Sequence, residues 1–333
     1  MKLVYWLLQR MLLKEFVPLL SFMIKTGTFK RIPDFLLLAL APLFASPPKI
    51  VPIPVVWRTD YGFERYSRKR PDSVAIVRKR AFTLRSRRIR ILWLENLWIL
   101  LEPWDEGAKS IYLTGMYEPN EFRAVADLLG KGMTFVDVGA NVGLYTLFAA
   151  RKVGERGQVI SIEPSAREFR RLQANVKLNR LRNVLLLKLA MSDTTGERDL
   201  LVATKDHSGH NTFGYYADGV TQLDYKERVQ TSTIDGIVAR ERVRRVDFLK
   251  LDIEGGEFFA LEGSINTVRK DHPVILIEVS PPLLANQNCT SVMIYDYLLR
   301  EGYSLYYFDS EKPTRSGARP LYEGDVLAIP QVT

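Results

Sequence analysis

Phe135-Val-Asp-Val-Gly-Ala-Asn-Val-Gly-Leu-Tyr-Thr146 is the stretch on which the fold turns. Thr134 to Val138 reads as a short buried strand and Val142 to Val153 as a helix, and the turn between them carries Gly139 and Gly143. Glycines at such a turn let the backbone pass close to a ligand in front of a helix N-terminus. A nicotinamide dinucleotide loop reads G-x-G-x-x-G and offers its amides to a pyrophosphate. This turn reads D-x-G-x-N-x-G, with Asp137 at the strand end. A carboxylate there repels a pyrophosphate and suits the ammonium end of an amino-acid-bearing cofactor.

The same alternation continues on both sides. Upstream, Pro119 to Leu129 reads as a helix closed at Gly130. Downstream come strand Val159 to Ile162, helix Ser165 to Leu178 and strand Val184 to Ala190. Later follow strand Phe248 to Ile253, helix Glu257 to Val268, strand Val274 to Val279, helix Val292 to Leu299, and strands Ser304 to Phe308 and Val326 to Ile329. Strands alternating with helices predict an α/β fold around a doubly wound, mainly parallel sheet. An insertion, Asp193 to Arg245, interrupts the pattern; within it Asp199 to Ala203 and Arg228 to Gln230 suit a β-pair and Ile234 to Arg240 a helix. Long insertions at the ligand edge of such sheets carry substrate specificity.

The second strand ends at Glu163, about 26 residues after Asp137, where an acid accepts both hydroxyls of a ribose. The third ends near Ser192-Asp193, whose side chains suit an exocyclic amine. An acid for an amino group, an acid for a ribose and a polar turn for an adenine, in this order, describe S-adenosylmethionine rather than a nicotinamide dinucleotide.

The run from about Thr114 to Val279 resembles the FkbM-type methyltransferases, a class I S-adenosylmethionine-dependent family. The pieces that carry the resemblance are Gly115-Met-Tyr-Glu-Pro119, Asp137-Val-Gly-Ala-Asn-Val-Gly143, Glu163-Pro164, Asn175-Val-Lys-Leu-Asn179, Thr233-Ile-Asp235, Asp247-Phe-Leu-Lys-Leu-Asp-Ile-Glu-Gly-Gly-Glu257, Leu261-Glu-Gly263 and Ile277-Glu278. They cover about half of the chain. The resemblance implies a seven-stranded, Rossmann-like class I fold and, for most members, O-methylation of a sugar or natural-product hydroxyl. The expected cofactor-binding residues are Asp137, Gly139, Asn141, Gly143, Glu163 and Asp193, with Glu118 near the cofactor's methionine end.

A second cluster stands at the end of the fourth core strand. Alternation puts Lys250, Asp252 and Glu254 on one face, and Gly255-Gly256 marks the strand's carboxyl end, where the transferred methyl group should point. An alcohol must lose a proton as it attacks, and a carboxylate, a lysine lowered in pKa by burial, or a histidine can take it. Asp252 is the first choice as base or hydroxyl anchor, with Lys250 and Glu254 in support; the plainer alternative is that Lys250 only pairs with these acids and orders the turn. Asp252, Glu254 and Glu278 are hard oxygen ligands, so a divalent cation is the other reading of the same cluster. His207-Ser-Gly-His210 lies in the insertion; folded over the sheet edge, His207 or His210 becomes an alternative base, and otherwise both are surface residues. His272 before Pro273 reads as structural.

Composition bounds the rest. The chain has 333 residues, a formal net charge of +9 and 47% apolar residues, which exclude a disordered or collagenous protein. Cys289 is the one cysteine, so no internal disulfide forms and a reducing, cytoplasmic setting is the default. Residues 1–110 carry about +11 and the remainder about −2. The basicity therefore belongs to a leading third, which divides into an apolar, basic-punctuated extension (1–56) and a basic β-rich lead-in (57–117), ahead of the catalytic domain (118–333).

Within the extension the longest uncharged stretch, Phe35 to Pro48, is short of the roughly 20 residues a spanning helix needs. A segment lying peripherally or monotopically on an anionic membrane surface is the first reading, and packing against protein is the second. Alternation in Ala81 to Leu94 favours strands, and the arginines of 58–90 suit anionic headgroups, acidic substrates or a solvated strand face. The expected acceptor is a small molecule, a glycan or a lipid-linked compound. The rival readings are an RNA ribose methyltransferase, disfavoured by the near-neutral catalytic half, and a catalytically silent membrane scaffold, disfavoured by the intact acids.

Overall fold

The computed structural model describes residues 88–114, 116–216, 218–308 and 313–331. The expectations for 1–56, and for the lead-in before Arg88, fall outside the described residues. The chain divides into two compact units at Tyr117/Glu118. In the first, β1 (Ile89–Leu92) and β2 (Trp98–Leu101) form an antiparallel hairpin, followed by α1 (Glu106–Thr114). The two described arginines of the basic stretch are both engaged inside this unit: Arg88 pairs with Glu102, and the Arg90 guanidinium lies 4.7 Å from the centroid of the Trp98 ring. Among the described residues no helix is long and apolar enough to cross a membrane.

The second unit opens with α2 (Pro119–Leu128), with proline at its first position, and β3 (Thr134–Val138). There follow α3 (Leu144–Val153), β4 (Gln158–Ile162), α4 (Ala166–Leu178), β5 (Val184–Leu187), β6 (Ala190–Met191), β7 (Gly196–Ala203), β8 (Leu223–Ser232) and α5 (Ile234–Arg240). The chain continues through β9 (Phe248–Leu251), α6 (Glu257–Glu262), α7 (Ile265–Asp271), β10 (Val274–Val279), α8 (Pro281–Ala285), α9 (Ser291–Arg300), β11 (Tyr303–Tyr307), β12 (Thr314–Ser316) and β13 (Gly324–Pro330). The central sheet has the order β12-β11-β13-β10-β9-β3-β4-β5, with β10, β9, β3, β4 and β5 parallel and β13 antiparallel to both its neighbours. These are the seven expected strands of the doubly wound fold, with short β12 added at one edge. Burial on both faces makes β9 read as an apolar run interrupted only by Lys250, and all four of its residues are buried.

Side chains at the helix ends lock the layers together. Asp235 accepts from the Asn266 and Thr267 amides and so caps the start of α7, and Asn183 donates to the Ala150 and Gly154 carbonyls at the end of α3. Asp247 accepts from the Thr134 amide, tying the entry of β9 to β3 at 2.8 Å.

Two boundaries differ from the periodicity. The run Val184 to Ala190 is not one strand: β5 stops at Leu187, exposed Lys188 turns out to Glu227 at 2.7 Å, and Ala190–Met191 leave the sheet to pair with Thr231–Ser232. There β6, β8 and β7 form a second, three-stranded sheet, which realises the expected β-pair of the insertion as Gly196–Ala203 against Leu223–Ser232. The helix expected over Glu257 to Val268 breaks at Gly263, because the backbone lies against the Ser192 carbonyl; a Cβ at Gly263 would stand 2.2 Å from that oxygen.

Candidate active site

The turn after β3 is built on close backbone approaches. Gly139 has φ +81°, and both its amide and that of Ala140 donate to the Ile162 carbonyl at 3.0 Å. Gly139 faces the neighbouring strand end so closely that a Cβ would lie 1.8 Å from the Asp252 carbonyl oxygen. Gly143 caps α3 in the left-handed region, with a Cβ position 2.6 Å from Leu172 Cδ1. The turn is therefore pressed against the end of β9, and the two motifs found separately in the sequence share one edge.

Glu163 receives one backbone amide on each oxygen, from Asn141 and from Ser165, both at 2.9 Å. These bonds aim the carboxylate and leave each oxygen a further lone pair for hydroxyl donors. Burial, and after it the charge of nearby Glu168, pushes its pKa up to about 8 despite the amides. Asp137 is buried within β3: its Oδ2 accepts from Thr146 Oγ1 at 2.6 Å, and Thr146 in turn meets Ser161 Oγ at 2.7 Å. Its pKa is raised by burial and pulled back by Lys250. Asp137 Oδ1 and Asn141 Oδ1 are buried acceptors without a hydrogen-bond partner among the described residues. Two spare acceptors, a glycine cradle and an aimed acid make an acceptor set that fits an adenosyl group carrying an ammonium.

Lys250 emerges from β9 beside Asp137, its partner in register. Its Nζ donates to Asp252 Oδ2 at 2.6 Å and lies 4.6 Å from the Tyr145 ring centroid, while Tyr145 donates to Glu118 Oε2 at 2.8 Å. Burial alone would lower the lysine's pKa, but Asp252, Asp137, Glu118 and Asp325 together hold it above the usual value. Lys250 is thus a fixed cation rather than the lowered lysine base that the sequence allowed. Glu118, in the left-handed region at the start of α2, joins this group through Tyr145.

The acids gather on the carboxyl side of the sheet. Carboxylate oxygens of Asp252, Glu254 and Glu278 lie within 4.8 Å of one another. Asp325 of β13 pairs in register with Glu278 of β10. Burial first, and neighbouring acids second, raise the pKa values of Glu254, Glu278 and Asp325 well above the carboxylate range. Glu257 has a structural part: it accepts from the Ile253 and Gly255 amides and so holds the turn.

The insertion does fold onto this edge. Thr212 Oγ1 donates to the Glu254 carbonyl at 2.7 Å, Asn211 to Glu168 at 3.1 Å, and a Cβ at Gly209 would lie 3.8 Å from Asn141 Nδ2. His210 Nδ1 meets Thr221 Oγ1 at 2.7 Å and Asp218 Oδ2 at 3.3 Å. Burial raises the Asp218 pKa, but bonds from Thr221 and Val220 outweigh it and hold the carboxyl at about 2. His207 stands 3.5 Å from Asp206, and His272 is the left-handed cap that ends α7. Asp193 is not gathered into the site: it is exposed, and its carboxylate accepts from Ser192 and Thr194 at the edge of the second sheet. The cause is the departure of Ala190–Met191 from the central sheet.

Asp325, Tyr145 and Asp218 were not singled out by the sequence. Tyr145 stood inside the glycine motif, three residues before Phe148 on a helix; the other two become visible only through strand register and loop contacts.

A family model described as the methyltransferase FkbM domain matches residues 137–305. No curated protein matches the chain. Among solved structures, the methyltransferase FkbM of Methylobacillus flagellatus is 14% identical with a TM-score of 0.37, over 80% of this chain and 57% of that one. The present chain therefore spans little more than half of that protein. An O-methyltransferase from Bacillus cereus in complex with SAH is 13% identical with a TM-score of 0.38, over 63% of this chain and 79% of that one. Fibrillarin of Aeropyrum pernix, with natively bound S-adenosyl-L-methionine, is 13% identical with a TM-score of 0.35, over 63% and 76%.

Proposed function

The chain belongs to the FkbM methyltransferase family, and on that premise we propose that it transfers a methyl group from S-adenosylmethionine to a hydroxyl of a glycan, glycolipid or secondary metabolite. The observation that carries this reading is the contact of Gly139 with the Asp252 carbonyl, which brings the cofactor-type turn and the acid-rich strand end to one edge. When bound, S-adenosylmethionine supplies a methyl group on a positively charged sulfur, open to displacement by an oxygen nucleophile. Glu163 holds the ribose hydroxyls, and Asp137 with Asn141 offers acceptors to the amino-acid end. Lys250 donates to Asp252 and orients it, so that Asp252 anchors the acceptor hydroxyl and takes its proton. His210, held by Thr221 and Asp218 in the insertion that folds onto this edge, is the other proton acceptor.

Binding of S-adenosylhomocysteine tests the cofactor assignment. Combined Asp137→Ala and Glu163→Ala substitution is expected to weaken it about a hundredfold or more, since each removes a charge-assisted contact of about 1.5–3 kcal/mol. With the Glu163 pKa near 8, affinity should rise about tenfold per pH unit up to about pH 8 and then level, and Glu163→Gln should flatten the slope. The stability sign is opposite. An acid whose pKa is raised on folding stabilises the protein below its unfolded value, and this is lost as pH rises towards about 8. Calorimetric titration between pH 6 and 9 that finds undiminished binding by the double variant would overturn the cofactor site.

The acceptor is proposed to be lipid-linked, met at an anionic membrane surface by the basic leading third. Transfer of a labelled methyl group into a membrane lipid extract and into a library of free sugars checks this. Label in the lipid fraction is the expected result; label confined to free sugars would remove the membrane from the account.

A further inference from the structure

We propose that Asp252, Glu254 and Glu278 bind a hard divalent cation of the Mg²⁺ or Ca²⁺ type at the end of β9 and β10. The three side chains come from different places, the end of one strand, the turn beyond it and the end of the next, yet their oxygens converge within 4.8 Å. Oxygens that share a cation at about 2.0–2.6 Å cannot be much more than 5 Å apart, and these satisfy that limit. Three carboxylates are also the ligand type such cations select.

A separate observation at Glu278 points to a ligand. Its side chain is largely buried, and the Oε2 atom is shut off from solvent without a hydrogen-bond partner among the described residues. A buried acceptor of this kind costs free energy unless something fills it. Among the described residues the neighbouring side chains do not supply the cation. Lys250 is committed to Asp252 Oδ2 at 2.6 Å, and the group facing Glu278 across β13 is another acid, Asp325. Asp252 keeps its second oxygen, and Glu254 is fixed by the bond from Thr212 to its carbonyl, so all three remain available in place.

The place of the cation beside the acceptor rests on the proposed function; its binding does not. There it would hold the acceptor hydroxyl and lower the hydroxyl's pKa, which favours a substrate with two adjacent oxygens, such as a sugar diol. The test is calorimetric titration of the full chain with MnCl₂, MgCl₂ or CaCl₂ alone, at neutral pH and without cofactor. One saturable site is expected for the wild type, weakened at least tenfold by Glu278→Gln and by Glu254→Gln. S-adenosylhomocysteine titration of the same variants reports that they are folded. If Glu278→Gln does not fold, Glu254→Gln carries the assignment. Absence of a saturable site in the wild type, or unchanged Mn²⁺ affinity in a folded variant, would overturn the proposal. Failure to bind S-adenosylhomocysteine with cation binding intact would instead count against the methyltransferase reading.

Discussion

Replacing Lys250 by methionine is expected to destabilise the protein by about 3–5 kcal/mol at neutral pH, the usual penalty for removing one partner of a buried ion pair. The Lys250 side chain is only 3% exposed, and the charge it would leave uncompensated at buried Asp137 is beyond the reach of water, although Asp252 is 31% exposed. Methionine fills a similar volume, which separates the lost charge from a lost shape. What remains is Asp252 with its 2.6 Å donor gone, and Asp137 with burial no longer offset by a neighbouring cation. Asp137 would then gain a proton more readily on folding. The deficit should therefore be largest at alkaline pH and shrink as pH falls through the carboxylate range, because protonation removes the uncompensated charge. Urea unfolding of the two proteins at pH 5 and pH 8 checks this. A deficit under about 1 kcal/mol at pH 8 would show that Lys250 is an ornament of the turn.

How far the sequence reaches is plain from particular residues. Val274–Val279, Thr134–Val138 and Ile234–Arg240 form over the ranges expected from periodicity, because each is bounded by residues that end an element: Pro273 and Ser280, Gly139, and Thr233 as an N-cap bonded to Gly236 at 2.9 Å. The glycine motif was legible for the same reason, since only glycine suits φ +81° against a carbonyl. The strand over 184–190 was not, because apolarity does not say which sheet a residue joins, and Ala190 is as buried in the second sheet as it would have been in the first. The state of Lys250 depends on how many acids surround it. Asp325 is 73 residues beyond Asp252 in the chain and enters that count only through the register of β13 with β10. Local pattern marks where backbone must turn; charge balance in the site is a property of the assembled edge.

Gly139→Ala should have the second large effect, and its size can be divided by a control. Alanine at φ +81° pays about 1–2 kcal/mol for its backbone conformation alone. A Cβ 1.8 Å from the Asp252 carbonyl oxygen and 2.8 Å from its carbon adds an overlap that must be relieved by movement, about 1–3 kcal/mol more. Neither side yields easily. The Gly139 and Ala140 amides are held by Ile162, and the Asp252 amide is held by the Val138 carbonyl at 3.2 Å, so relief means parting β3 from β9 at the centre of the sheet. Gly132 has the same φ of +81° with nothing within 4 Å of its Cβ position. Gly132→Ala should therefore show the conformational part alone, and the difference between the two variants in urea unfolding measures the overlap. The same movement displaces Asn141, whose amide aims Glu163, so Gly139→Ala should also lose S-adenosylhomocysteine binding while Gly132→Ala retains it. Equal stability of the two variants would mean that the strand ends part freely, and the cofactor turn and the acid-rich edge would not be one rigid site.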